Sequence, residues 1–331
     1  MNLRFFPSLP RFALSLLLAV TAAMAEDGIL IRDGQSVAFM GDSITAGGWG
    51  MASGYVRLVV DALAKNGVKV TPIPAGVSGN TSKDMLDRLE RDVLSKQPNW
   101  LLLSCGVNDV WHGPTGVELE PYKQNITAIV DQAEAKGIKV ILLTATPIGE
   151  EDNANNQKLI AYNTFLRQLA SQRKLPLADL NQGFQAVLSP LHATRASRFL
   201  TVDGVHMNTE GNVVMATGCL RAMGISAARM AAIEQAWLRQ PATATIAVTG
   251  DLKPDLPVTL GEFRRLEAMA QQRGTDVIHL SGTLWLRALA AVIATHAAEP
   301  LLDIEALKKE ARIRLLADID ALAKLPTDAK P

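Results

Sequence analysis

From residue 36 to about residue 224 the chain alternates short apolar runs with longer amphipathic ones. The short runs, at 36–40, 69–73, 100–104, 138–143 and 177–179, are apolar or β-branched and bounded by turn residues, which predicts buried strands. Helical patterns lie between them at 55–66, 83–94, 121–136 and 155–172. In the first of these, Tyr55, Leu58, Val59, Ala62 and Leu63 share one face at helical spacing. Gly67 and Gly137 follow two of the helices, where a left-handed terminating residue is expected. Strand alternating with helix predicts a parallel sheet covered on both faces. In such sheets the chemistry sits outside the carboxyl ends of the strands, so the segments that follow each strand are the ones to inspect.

After about residue 225 the pattern changes. An alanine-rich helix at 227–239 gives way to a threonine-, glycine- and proline-containing stretch at 241–257 that reads as a connector. Three further helical patterns follow near 260–273, 283–296 and 303–323, with no catalytic constellation among them. They predict a helical C-terminal extension packed on the domain before it, with a separate binding module as the alternative. At the other end, Arg4 and Arg11 precede an apolar run at 12–20, and Ala23-Met24-Ala25 forms a small-x-small site. That is a secretory leader pattern, too short for the roughly 20 apolar residues of a bilayer span. The expected organisation is therefore a leader at 1–25, a catalytic domain at 26–226 and a helical extension at 227–331. The expected location is periplasmic or extracellular, without stable membrane insertion once the leader is removed.

Composition narrows the function classes. The 331 residues balance 33 Lys and Arg against 33 Asp and Glu, so no global field draws the chain to nucleic acid or an anionic membrane. Two cysteines, Cys105 and Cys219, make no disulfide framework and read as free buried thiols.

Four segments after strands carry residues that are unusual as packing choices. In Gly41-Asp42-Ser43-Ile44-Thr45 a serine at a strand-to-helix turn presents its hydroxyl at the sheet edge, beside amides able to bind an anion. Alone, it reads equally as a helix cap. In Gly76-Val77-Ser78-Gly79-Asn80-Thr81 a glycine lets a backbone N–H approach a substrate; a plain turn is the alternative. In Gly106-Val107-Asn108-Asp109 the asparagine amide suits an oxyanion hole, while Asp109 reads as a loop-fixing residue. In Asp203-Gly204-Val205-His206 the carboxylate can reach Nδ1 and leave Nε2 to face a serine, which is what base catalysis needs. Arg195 and Arg198 lie in the loop before it.

Taken together and in this order, the segments resemble the SGNH branch of the GDSL esterase and lipase family. The family's serine, glycine, asparagine and histidine match Ser43, Gly79, Asn108 and His206, with Asp203 in the block of the histidine. Ile44 stands where the family name has leucine, and the Gly-x-Ser-x-Gly elbow of α/β-hydrolases is absent around Ser43. The resemblance covers roughly residues 36–224. It implies a flavodoxin-like three-layer α/β/α sandwich with a five-stranded parallel sheet and a Ser43–His206–Asp203 triad. It also implies an oxyanion hole from the Ser43 and Gly79 N–H groups and the Asn108 amide, ester hydrolysis through an acyl-enzyme, and no metal or organic cofactor.

The ester itself is less legible. Asp42, Trp49, Asn80, Trp111 and His112 flank the blocks and are candidate substrate contacts. Flat aromatic faces near polar groups suit a sugar ring, and the two tryptophans equally suit the packing of their own loops. A carbohydrate O-acetylesterase is the expected activity. A short-chain lipase, lysophospholipase or thioesterase is the enzymatic alternative, and a non-catalytic carbohydrate-binding or envelope protein on the same fold is the alternative from another class.

Overall fold

The structure, a computed structural model, describes residues 28–189, 199–238, 241–245, 257–275, 277–296 and 304–322. The expected leader at 1–25 and Arg195 and Arg198 lie outside these residues. Five strands, β1 (Ser36–Gly41), β2 (Thr71–Gly76), β3 (Trp100–Ser104), β4 (Lys139–Leu143) and β5 (Leu177–Ala178), form one sheet in the order β2-β1-β3-β4-β5. Every pairing is parallel. The central strands are buried on both faces, as their unbroken apolar runs require: Val37 to Met40 and Leu101 to Leu103 are almost fully enclosed.

Helices cover both faces. α2 (Tyr55–Lys65) and α7 (Leu180–Leu188) both pack against α8 (Thr209–Ala222), while α3 (Ser82–Asp92), α5 (Leu119–Ala135) and α6 (Ala154–Arg173) form a second contiguous set. The chain leaves β1 toward one edge to make β2, then returns across β1 to make β3. The strand order thus reverses between β1 and β3, and at such a point the loops diverge and leave a crevice at the carboxyl edge. Ser43 follows β1 and Asn108 follows β3, on either side of that crevice.

Two elements differ from the pattern in the sequence. Strand β2 is shifted toward the carboxyl end of the expected run and contains Pro72 and Pro74. Proline lacks the ladder N–H, and β2 tolerates it because it is an edge strand with one partner only. The stretch expected as a connector supplies β6 (Pro241–Thr245) and β7 (Pro257–Thr259), which pair antiparallel as a small separate sheet. Three short helices, α1 (Ser43–Gly50), α4 (Val107–Trp111) and α7, were not marked by periodicity, since one or two turns carry too few apolar positions to show it.

The C-terminal region has two parts. Met230, Ile233 and Trp237 of α9 (Ala227–Trp237) join the main core, so packing runs past the expected boundary at residue 226. Helices α10 (Leu260–Gln272), α11 (Val277–Thr295) and α12 (Ile304–Leu322) enclose a second core around Leu266, Trp285, Ala311 and Ile319. A paired contact ties that bundle to the sandwich. Arg264 of α10 donates from Nε and Nη2 to both carboxylate oxygens of buried Glu210, at 2.6 and 2.9 Å, in the first turn of α8. The fork geometry and the burial of Glu210 make this stronger than an ordinary surface pair. Among the described residues no helix is long and apolar enough to cross a membrane. Cys105 and Cys219 are free and buried.

The first turn of α1 lies directly on β2. A Cβ added at Gly76 would sit 2.3 Å from the backbone N of Ala46 and 2.7 Å from the carbonyl carbon of Thr45. Gly76→Ala is expected to lower stability by about 1–3 kcal/mol, the usual cost of forced overpacking. The check is the urea midpoint; an unchanged midpoint would mean that α1 can lift from β2 without penalty.

Candidate active site

At the carboxyl end of β1 the chain must turn at once into α1. Asp42 caps that helix, its buried carboxylate accepting from the Ile44 N–H at 2.8 Å. Burial pushes the Asp42 carboxyl up to about 6, against the opposing pull of the Ile44 N–H and of nearby His206. The capping leaves Ser43 at the first position of α1, with its hydroxyl facing the loop that follows β5 and α7. Asp42 was a candidate substrate contact; enclosed and spent on the cap, it braces the turn instead.

The loop that faces Ser43 holds both remaining residues of the expected triad. Asp203 Oδ1 accepts from the backbone N–H groups of Val205 and His206 at 2.9 and 2.7 Å, and its Oδ2 meets His206 Nδ1 at 2.5 Å. Burial raises the Asp203 carboxyl, but these bonds from His206 and Val205 outweigh it and hold the group at about 2. An ionised Asp203 requires the proton on Nδ1, so Nε2 is the acceptor, and Ser43 Oγ lies 2.9 Å from it. An imidazole held in this tautomer can take the hydroxyl proton as the oxygen attacks.

The loops after β2 and β3 close the other side. Gly79 has φ +80°, a left-handed conformation that glycine adopts without strain. Asn108, buried in α4, donates one amide proton to the Asn80 carbonyl at 3.0 Å. Its other amide proton has no partner among the described residues. Asp109 accepts from the Ser82 N–H at 2.9 Å, tying the β3 loop to the start of α3. Its carboxyl is raised by burial and pulled back by Ser82.

Among the other candidate contacts, Trp111 is 43% exposed and stands edge-on to the His206 ring, centroids 6.3 Å apart. His112 lies beside it at the same centroid distance. Trp49 is elsewhere: it packs on the main core, with the Arg57 guanidinium 4.4 Å above its ring. The side chain of Asn80 is turned to Arg88. Trp49 thus packs between α1 and α2, and the Asn80 side chain is held by α3.

Two residues that hold the site were not identified from sequence. Arg88, buried in α3, donates to the Gly41 carbonyl at 2.9 Å, to Asn80 Oδ1 at 2.6 Å and to Asp92 at 2.9 Å. It thereby braces the β1 turn against the β2 loop. Glu150, in the loop after β4, accepts from the N–H groups of Phe199, Leu200 and Thr201 and from the Thr201 hydroxyl, the last three at 2.7 Å. Its neighbour Gly149 donates to the Gly204 carbonyl at 2.6 Å. The segment from Phe199 to Asn208 folds back on itself through Val202 N–H to His206 O and Asn208 N–H to Leu200 O. Glu150 thus grips the base of the hairpin whose tip carries Asp203 and His206. In sequence Arg88 sits in a charged helix face and Glu150 in an acidic loop, and neither pattern distinguishes a hydrogen-bonded brace from a solvated charge.

Comparison with known proteins gives the family of the chain. Residues 39–214 match the model of the GDSL-like Lipase/Acylhydrolase family. An acetylxylan esterase of Geobacillus stearothermophilus is 29% identical over 216 residues, 59% of this chain and 96% of the relative. Esterase TesA of Pseudomonas aeruginosa is 30% identical over 43% of this chain and 69% of its own. The crystal structure of the Geobacillus acetylxylan esterase Axe2 superposes with a TM-score of 0.53 at 26% identity, covering 60% of this chain and 97% of that one. Further structures of Axe2 are of catalytic mutants in which a serine, an aspartate or a histidine is replaced by alanine. The chain belongs to the GDSL-like lipase/acylhydrolase family, and it is a serine hydrolase of carboxylic esters.

Proposed function

We propose that this chain is an exported O-acetylesterase of carbohydrate in which Ser43 is the nucleophile, His206 the base and Asp203 the residue that orients it. The observation that carries the reading is the unbroken hydrogen-bond chain from Asp203 through His206 to Ser43 Oγ. Ser43 attacks the ester carbonyl while Nε2 takes its proton. The Ser43 and Gly79 N–H groups and the Asn108 amide hold the oxyanion, and the imidazolium then protonates the departing alcohol. Water repeats the sequence on the acyl-enzyme. Asp203, held ionised, stabilises the imidazolium in both halves.

The choice of acetylated sugar is supported by the likeness to an acetylxylan esterase along nearly its whole length and by the exposed Trp111 beside the base. Export is supported by the leader pattern at 1–25. A second reading, a thioesterase or lysophospholipase, is favoured by a 26% identical Escherichia coli relative named thioesterase 1/protease 1/lysophospholipase L1, matched over 86% of its length. Rates on acetyl against longer acyl esters and thioesters separate the two readings.

Three outcomes are expected. Ser43→Ala abolishes labelling by an active-site phosphonate and hydrolysis of p-nitrophenyl acetate; labelling that persists would remove Ser43 as nucleophile. Asn108→Ala lowers kcat by roughly 10²–10³, the typical cost of one oxyanion donor. An unchanged kcat excludes its amide from the mechanism. Glu150→Ala releases the hairpin that carries the base and lowers kcat by about 10²-fold, the scale of a 1 Å misplacement. A kcat equal to wild type would mean that the hairpin holds His206 without it.

A further inference from the structure

A pocket of about 370 Å³ borders the hairpin of Asp203 and His206, and no step of the proposed mechanism uses it. Its wall is built from Trp111, Glu151, Asn153 and Asn155 together with Asp203, Gly204 and Val205 of the hairpin. Trp111 belongs to both places: it lines the pocket and stands edge-on to the His206 ring.

The chemistry of the histidine decides which part of an ester lies here. His206 must deliver its proton to the leaving oxygen, so the alcohol portion departs on the histidine side of Ser43. Neither of the proposed oxyanion donors, Gly79 and Asn108, lines this wall, although Trp111 reaches it from the same helix as Asn108. The pocket therefore faces the alcohol portion of the substrate, and the acyl group lies elsewhere.

The lining describes the ligand further. Trp111 offers an exposed indole face, which suits the apolar face of a sugar ring. Asn153 is spent: its amide donates to the Ile148 and Glu151 carbonyls and its oxygen accepts from Asn156 N–H. The Asn155 side-chain amide and the Glu151 carboxylate, by contrast, have no hydrogen-bond or ion-pair partner among the described residues. An amide and a carboxylate left open beside an aromatic face can receive hydroxyl groups. The described lining carries two carboxylates, Glu151 and Asp203, and no lysine or arginine. A uronic or sialic acid would bring its own carboxylate against that charge, and no cation among the described residues of the lining meets it.

We propose that this pocket is a leaving-group subsite for a neutral sugar residue, so that the enzyme deacetylates neutral glycans in preference to acidic ones. The proposal rests on the O-acetylesterase reading and adds to it where the sugar sits and which charge it carries.

The test compares wild type with Trp111→Ala, Asn155→Ala and Glu151→Lys on p-nitrophenyl acetate, acetylated xylo-oligosaccharide and acetylated oligogalacturonate of matched length. Wild type is expected to prefer the neutral oligosaccharide over the acidic one by at least about tenfold in kcat/KM. Trp111→Ala and Asn155→Ala are each expected to lower the ratio of kcat/KM on the neutral oligosaccharide to that on p-nitrophenyl acetate by about tenfold, mainly through KM. Glu151→Lys, at an exposed position, should narrow the gap by raising activity on the acidic oligosaccharide. The subsite is overturned if those ratios stay at the wild-type value, or if wild type and Glu151→Lys treat the two oligosaccharides alike. Loss of both oligosaccharide activities with p-nitrophenyl acetate hydrolysis intact would overturn the carbohydrate reading itself. An intact wild type inactive on all three esters would overturn the esterase mechanism.

Discussion

The parallel pairing of β1 with β3, from Val37 against Trp100 to Met40 against Leu103, is the contact on which the site depends. It brings Ser43 and Asn108 to the same edge of the sheet although 65 residues separate them (108 − 43). Both strands are buried on both faces, so their register is held by packing above and below as well as by the ladder. A slip of one residue would carry Asn108 about 3.3 Å along the strand relative to Ser43. Hydrogen-bond geometry at an oxyanion does not survive such a displacement.

A rigid sheet edge does not by itself orient loops, and here the loops are oriented by buried or half-buried polar groups that each make several hydrogen bonds. Arg88 spans the β1 turn and the β2 loop, Asp109 the β2 and β3 loops, and Glu150 the β4 loop and the hairpin of the base. Burying such groups costs solvation, which several charge-assisted bonds to each one offset. The benefit is directional. An apolar brace of the same size would fill the space but leave the loop N–H and C=O groups unpaired and free to turn.

The hairpin of Asp203 and His206 is held from more than one side. Glu150 and Gly149 grip it from the β4 loop, and α8 begins directly after it at Thr209. The first turn of α8 is in turn pinned through Glu210 by Arg264 of the C-terminal bundle. The bundle thus bears on the position of His206 through the first turn of one helix, though no described residue of it joins the Asp203–His206–Ser43 chain. On the open side of the same hairpin lies the pocket of Trp111, Asn155 and Glu151, so base and alcohol portion would share one wall.

The sequence alone determined the layered α/β/α plan and the segments that meet at the candidate site. Both are local: strand runs such as Leu101 to Leu103, glycines where helices end, and short blocks such as Asp203-Gly204-Val205-His206 show their character within a few residues. Positions set by distant partners were not legible. The run at 69–73 predicts a strand across Pro72, but its extension through Pro74 to Gly76 depends on the edge position of β2, because only an edge strand can spare the missing N–H groups. Trp49 and Trp111 look alike beside their blocks; Arg57 covers the one, and the other stands open beside His206. Arg88 and Glu150 read as surface charges, because the bonds that make them braces come from acceptors and donors 47 and 49–51 residues away along the chain. What tertiary structure decided was which polar groups lose water and which keep it. That choice depends on contacts between remote segments, and no local pattern records it.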